Sequence, residues 1–277
     1  MRHALFLPPF DGLADPDHLV EVAVRAEAAG WDGFFLWDHL LYAEPVQNIL
    51  DAYVCLGAVA AATSTIALGP MVTPLIRRRP QVLARQALTV DRLSHGRLVL
   101  GLGIGDDGGP GGELSGFGEI VDAKTRGRAL DEGLEVLTGL LSGATVRHDG
   151  EFYRAMDVTF SPTPARPGGI PIWLAARWPH RLPVRRAARY QGVVVIQMDG
   201  PSLVADLRRE LEGAGADLAH FDIAVLRRDG DDPEAWAAAG VTWLLTRVGP
   251  YHLTYDDALA VAAAGPPRRR TAPEGNR

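Results

Sequence analysis

The residues best placed to do chemistry are Trp37, Asp38 and His39, in a row at the end of the apolar run 33–37 (GFFLW). An imidazole titrates near neutrality, so His39 could act as general acid or base, or hold a cofactor atom by hydrogen bond. The competing reading is a histidine satisfied by a neighbouring carbonyl. Position favours function if the run is a strand whose C-terminal end faces a pocket. Of the other seven histidines, His3 begins an apolar run, His95 lies in the turn 94–97 and His148 in a hairpin pattern. His18, His180, His220 and His252 have no carboxylate or histidine partner at ligand spacing, so no metal site is expected.

Other chemistries are curtailed by counting. The chain of 277 residues has one cysteine, Cys55, which excludes an intramolecular disulfide and Cys-rich zinc or iron–sulfur sites. Its single lysine, Lys124, would have to carry any Schiff-base chemistry alone. Gly103, Gly105 and Gly108 spell G-x-G-x-x-G, but the chain continues GPGG rather than opening the helix that a dinucleotide pyrophosphate needs. The glycines still let a ligand approach backbone amides closely. No G-x-S-x-G elbow and no phosphate-binding G-x-x-x-x-G-K-[ST] is present. The arginine runs 77–79, 185–186 and 268–270 read most simply as solvated surface charge, although Arg77 is close enough to a strand to reach an anion.

The elements that must position these residues follow from the apolar pattern. Short continuous runs at 3–8, 33–37, 66–72, 98–103, 171–175, 193–197, 222–226 and 242–247 suit parallel strands buried on both faces. Helical patterns lie between them. In the first, Asp15 caps, Pro16 opens, Gly30 stops, and Leu19, Val22, Ala23 and Ala26 form one face. Further helices are expected at 51–63, from Pro80 onward with Val82, Leu83, Ala87 and Val90 on one side, at 124–141, and near 183–190, 201–214, 232–239 and 255–264. Eight β/α alternations predict a (β/α)8 TIM barrel over residues 1–265, with a doubly wound open sheet as the rival. The rhythm lengthens at 104–170, which reads as an insertion after strand 4, with a hairpin at 145–160 and the potential of a mobile lid or a plain surface loop. The tail 266–277 has no apolar face and is expected to be disordered.

Net charge −6 argues against general nucleic-acid binding. No apolar run reaches membrane-spanning length and residues 1–14 lack a signal-peptide pattern, so a cytoplasmic protein is expected.

The strings AGWDGFFLWDHL (29–40), AAATSTIALGPMVTPLIRRRPQVLARQALTVDRLSHGRLVLGLGIG (60–105), DEGLEVLTGLLSG (131–143) and PIWLAARW (171–178) resemble the bacterial luciferase-like monooxygenase family. That family includes flavin-dependent monooxygenases and oxidoreductases that use the deazaflavin coenzyme F420. The resemblance covers roughly residues 1–200. It implies that Asp38 and His39 form the catalytic second-strand pair, with Trp37 beside the cofactor. It also implies that Met71, Val72 and Thr73 form a third-strand bulge behind the ring, often built with a non-proline cis peptide. Gly103, Ile104 and Gly105 would line the cofactor, and Ala175, Ala176 and Arg177 would lie near its phosphate. Many relatives carry a glycine pair or Gly-Ser at this last place. Here Arg177 could supply a charge-assisted contact instead, or the phosphate grip could be lost.

Three functions then compete. One is a monooxygenase using reduced FMN from a separate flavin reductase, oxygen and a small organic substrate. The second is an F420-dependent oxidoreductase in which His39 manages a proton. The third is a flavin-binding protein without turnover. A barrel isomerase for sugar phosphates is weaker, because 246–250 offers one glycine and one arginine for a phosphate. By family analogy the expected assembly is a homodimer.

Overall fold

Parallel pairing dominates the chain. In the computed structural model, which describes residues 1–107, 112–228 and 230–267, strands β1 (Arg2–Leu7), β2 (Gly33–Leu36) and β3 (Ala67–Pro70) run side by side. β4 (Thr73–Pro74) continues β3 after a two-residue break and pairs with β5 (Leu100–Gly103). β6 (Val146–Asp149) and β7 (Arg154–Val158) form a separate antiparallel hairpin. β8 (Ile172–Arg177), β9 (Gly192–Gln197), β10 (Asp222–Arg227) and β11 (Trp243–Arg247) complete the sheet, and β11 pairs with β1.

The order β3-β2-β1-β11-β10-β9-β8-β5-β4 closes on itself, because β3 and β4 are two pieces of one wall position. Leu68 accepts from the Val99 amide at 2.9 Å at the lower end of that position, and β4 takes over the pairing above. The result is the TIM barrel of eight positions that the alternation predicts, not the open sheet. The expected third strand, 66–72, stops at Pro70 and resumes at Thr73.

Helices α1 (Pro16–Ala28), α2 (Ala52–Ala62), α3 (Pro80–Leu93), α4 (Ala123–Ser142), α5 (Arg181–Ala187), α6 (Val204–Gly213), α7 (Pro233–Ala239) and α8 (Tyr255–Ala264) form the outer layer. Their starts have local causes. Asp15, Asp51, Asp122 and Asp232 each accept from an amide of the first turn, and Thr254 and Asp257 form a capping box. On α3, Leu83, Ala87 and Val90 are buried as expected, but Val82 is exposed, because it lies a full 100° around from Leu83.

Strand alternation divides the core. Leu5, Leu7, Leu100, Leu102, Leu174 and Ala176 pack under the helices. Ala4, Phe6, Phe35, Trp37, Met71, Val99, Trp173, Val194, Trp243 and Leu245 pack in the barrel interior. Phe35, Trp173 and Trp243 meet pairwise at 5.5–5.8 Å between ring centroids and fill the interior floor, leaving the upper layer near the C-terminal strand ends to form a site.

Between β5 and β8 the chain first makes α4, which packs on α3 as a regular ring helix, and only then adds the hairpin. The expected lengthening thus contains both a barrel helix and extra structure. Residues 108–111 of the glycine-rich run, Gly108 included, lie outside the described residues, as do residues 268–277 of the tail. Among the described residues no helix is long and apolar enough to cross a membrane.

Closure at β3 depends on Gly69, where a Cβ would overlap the Val99 carbonyl oxygen. Gly69→Ala is expected to lower stability by about 3 kcal/mol or more, since backbone rather than a flexible side chain must yield. Gly213→Ala, at a helix end with nothing within 4 Å, serves as the neutral control in denaturant unfolding.

Candidate active site

At the top of β2 the chain leaves the sheet as Trp37-Asp38-His39, and alternation sends the three side chains to different places. Trp37 enters the interior and touches Phe6 at 5.2 Å and Phe10 at 6.1 Å, ring to ring. Arg247, the last residue of β11, places its guanidinium carbon 5.1 Å above the Trp37 ring. His39 reaches the rim, 5.2 Å from the Tyr42 ring and 6.0 Å from Phe10, with its side chain 31% exposed.

Asp38 turns away from the interior. Its carboxylate is 2% exposed and accepts from Arg78 Nε at 3.1 Å and Arg78 Nη2 at 2.9 Å. Arg77 Nη2 lies 3.1 Å from Asp38 Oδ1 and donates to the Asp38 carbonyl at 2.8 Å. Thr73 Oγ1 donates to Asp38 Oδ2 at 2.7 Å and so accepts from Tyr53 OH, 2.9 Å away. Arg78 Nη2 also reaches Asp51 Oδ2 at 3.1 Å. Burial works against the Arg78 charge, but Asp38, Tyr53 and Asp51 more than offset it and hold the guanidinium above its usual pKa. Burial first, and Asp38 second, push the Tyr53 phenol up, so it stays a donor.

The residue that completes this network is Glu113, from the loop after β5. Glu113 Oε2 lies 3.0 Å from His39 Nδ1, while Oε1 accepts from Arg77 Nη1 and from the Leu40 amide. Burial alone would raise the Glu113 carboxyl. The hydrogen bond and charge of His39, the Arg77 guanidinium and the Leu40 amide outweigh it and hold the group below the ordinary carboxylate range. With Nδ1 held by a carboxylate, the proton sits on that nitrogen and Nε2 is left without a partner among the described residues. An imidazole so fixed can accept a proton at Nε2 and hand it back.

The other expected site residues divide by strand parity. Met71 and Val72, joined by a cis peptide bond, both pack against the interior cluster. A Cβ on Gly103 would sit 3.2 Å from both Val72 Cγ2 and Ala175 Cβ, so these three form one wall almost bare of side chains. Thr73 belongs to the Asp38 network instead, fully buried. Ile104 and Ala176 pack against the outer layer, so their side chains do not line the interior. Gly105 turns the chain out of β5 with φ +72° and lies over Pro74. Arg177 is half exposed and donates to Asp106 Oδ2 at 2.8 Å.

One expectation is corrected, and one residue was missed. The 77–79 run is not all surface charge: the Arg77 and Arg78 side chains are 3% and 14% exposed. The physical reason is that the run follows β4 directly, at the strand end where Asp38 and Glu113 converge. Glu113 was not singled out from the sequence at all, because it follows a glycine-rich loop that gives it neither periodicity nor a motif. Arginine immediately behind an apolar strand was the available signal.

Glu113→Gln is expected to cost about 3 kcal/mol at neutral pH, since it removes one of the two carboxylates that face the buried Arg77 charge. A carboxyl with a lowered native pKa contributes stability above its unfolded value of 4.5 and loses it as pH falls through the native value. The gap between variant and wild type should therefore narrow below about pH 4 in denaturant unfolding.

Comparison with known proteins places the chain. The family model of luciferase-like monooxygenases matches residues 1–275. An F420-dependent glucose-6-phosphate dehydrogenase of Nakamurella multipartita is 33% identical over 221 residues, which are 75% of this chain and 61% of that protein. The chain thus spans about three-fifths of that relative's length. Among solved structures, an F420-dependent secondary alcohol dehydrogenase in complex with an F420–acetone adduct superimposes with TM-score 0.76 at 16% identity, over 95% of this chain and 98% of that one. The oxygenating constituent of 3,6-diketocamphane monooxygenase of Pseudomonas putida, in complex with FMN, gives TM-score 0.67 at 20% identity, over 82% and 66%. The barrel, the His39 rim and a match over nearly the whole chain agree: this protein belongs to the luciferase-like monooxygenase family.

Proposed function

We propose that the protein is an F420-dependent oxidoreductase that interconverts a small alcohol-type substrate and its oxidised form, with His39 as the proton-handling group. The observation that carries this reading is the His39 imidazole, held at Nδ1 by Glu113 and free at Nε2 on the rim of an aromatic-lined barrel mouth. The relative at 33% identity is an F420 enzyme by name, which favours this reading over reduced FMN and oxygen.

The interior suits a planar tricyclic ring. Phe6, Trp37, Met71 and Val72 pack together in the interior, and a Cβ at Gly103 would press on Val72 Cγ2 and Ala175 Cβ at 3.2 Å, so Gly103 keeps that wall thin. When bound, the deazaflavin supplies a hydride-accepting carbon; the protein supplies position and a proton acceptor. His39 Nε2 takes the hydroxyl proton as the substrate C–H bond breaks, and returns it in the reverse direction. Asp38 acts as a positioning residue: it holds Arg77, which holds Glu113, which orients the ring. The charge count is consistent with this. Two guanidinium groups face the carboxylates of Asp38, Asp51 and Glu113, so a proton on His39 brings the cluster to neutrality. Phe10, Trp37 and Tyr42 shield the imidazole from bulk water on one side.

Fluorescence titration with F420 and with FMN tests the cofactor, and saturable F420 binding is the expected result. Glucose 6-phosphate and a secondary alcohol are the first substrates to try, with loss of F420 absorbance as the readout. His39→Ala should lower turnover by about 100-fold or more while F420 affinity changes little. Failure to bind F420, or full turnover in the His39 variant, overturns the reading.

A further inference from the structure

One cation at the barrel mouth is neither buried nor paired. Arg247 ends β11 and stands in register with Phe6, a member of the interior cluster, so its side chain belongs to the interior face of the wall. The side chain is exposed, and its guanidinium carbon sits 5.1 Å from the centre of the Trp37 ring. Stacking on an indole fixes a guanidinium while leaving its five N–H donors unused. No hydrogen bond or ion pair joins the Arg247 side chain to any described residue. The other arginines at these strand ends are answered. Arg177 has Asp106, Arg228 has Asp199 and the Met198 carbonyl, and Arg77 and Arg78 have Asp38 and Glu113.

The surroundings of this charge are apolar. Phe6 and Trp37 belong to the interior cluster, and Leu226 packs against it from the neighbouring strand β10. The Tyr42 ring lies 6.0 Å from both Trp37 and Tyr251. Burial first, and Tyr251 second, push the Tyr42 phenol up, and the Arg247 charge opposes them, so the guanidinium acts on that side of the rim. Trp37 also links the cation to the imidazole, since its ring is 5.9 Å from that of His39. A molecule lying across this indole reaches His39 at one end and Arg247 at the other. Such a wall suits a carbon chain better than a sugar. Hydroxyls set against Phe6, Trp37 and Leu226 lose water without gaining a partner, at about 1–3 kcal/mol each. A single guanidinium matches a carboxylate in charge and in its parallel N–H geometry, but leaves a phosphate dianion half neutralised.

We infer that Arg247 binds a carboxylate of the substrate, and that the substrate class is the short hydroxy acids, with the carbinol at His39 and the apolar chain across Trp37. The inference deepens the proposed function and rests on the role given there to His39. The step balances. The carbinol C–H bond breaks and its hydride passes to the oxidised deazaflavin, the hydroxyl proton passes to His39 Nε2, and the carbon–oxygen bond becomes double. The carboxylate is unchanged and serves only to place the chain. The charges match as well: Arg247 adds one positive charge outside the balanced Asp38, Asp51 and Glu113 cluster, and a monoanionic substrate answers it.

Steady-state kinetics with F420 compare β-hydroxybutyrate, its neutral counterpart in shape methyl isobutyl carbinol, and glucose 6-phosphate. The proteins are the wild type, Arg247→Met and Arg247→Lys, which should all fold because the side chain is exposed. The wild type should favour the hydroxy acid over both other compounds by about 10-fold or more in kcat/KM. Arg247→Met should bring the acid-to-alcohol ratio near one, chiefly by raising KM for the acid, and Arg247→Lys should recover part of the preference. A wild type that binds F420 but favours the alcohol or the sugar phosphate, or leaves the acid untouched, overturns the inference. So does an equal loss on acid and alcohol in Arg247→Met. Binding is also read without turnover, by thermal melting with butyrate and with butyramide. Butyrate should raise the Tm of the wild type and of His39→Ala but not of Arg247→Met, and butyramide should raise none of them. Failure to bind F420 removes the proposed function, and the melting result then decides on Arg247 alone. No butyrate-dependent rise, or the same rise in Arg247→Met, marks an arginine that meets only solvent and overturns the site.

Discussion

Two adjacent arginines buried at the end of a strand constrain everything above the barrel floor. Arg77 and Arg78 cannot deprotonate, and each buried guanidinium carries a desolvation cost of several kcal/mol that only well-placed carboxylates offset. Asp38 comes from the top of β2, Asp51 caps α2, and Glu113 comes from the loop behind β5. Satisfying two charges therefore fixes three separate segments relative to one another. His39 inherits its orientation from this arrangement, since Glu113 has one oxygen for Arg77 and one for the imidazole.

The barrel beneath provides the complementary condition. A floor of Phe35, Trp173 and Trp243 fills the lower interior, while Gly103, Ala175 and Val72 leave one upper wall thin. Large residues thus sit low in the barrel and small ones high, at the strand ends where the loops carry polar groups. The aromatic side of the mouth, Phe6, Phe10, Trp37 and Tyr42, then gives the imidazole a sheltered rim. Within the family this division of labour is economical. On the proposed reading, the redox chemistry would come with the cofactor, and the chain would contribute shape, a proton site and charge placement. The scarcity of lysine and cysteine fits the same picture, since neither amine nor thiol chemistry is required.

The charged groups near the site fall into two kinds. Arg77 and Arg78 are saturated and structural in effect, whereas Nε and Nη1 of Arg126 are buried with no hydrogen-bond partner among the described residues. Arginine count alone cannot separate these kinds, because the same side chain serves in both. Burial and the list of acceptors within reach do separate them.

Much of the fold was legible in the residues alone. Continuous apolar runs marked all eight wall positions because strands buried on both faces need no polar alternation. Asp15 with Pro16, and Asp51, marked helix starts because capping is a local hydrogen bond. Position at the end of a strand singled out His39 for the same local reason. The partners were not legible. Glu113 lies 74 positions from His39, and nothing in a glycine-rich loop says which strand end it will cover. Strand parity at the ends was also out of reach, so Asp38, Thr73, Ile104 and Ala176 looked like neighbours of a ligand and proved to face away from the interior. The amino-acid order determined the barrel, its caps and the histidine at the rim, since each depends on contacts within one element or on periodicity. Only the tertiary structure decided which charges are buried together, because desolvation and pairing are properties of the space between elements.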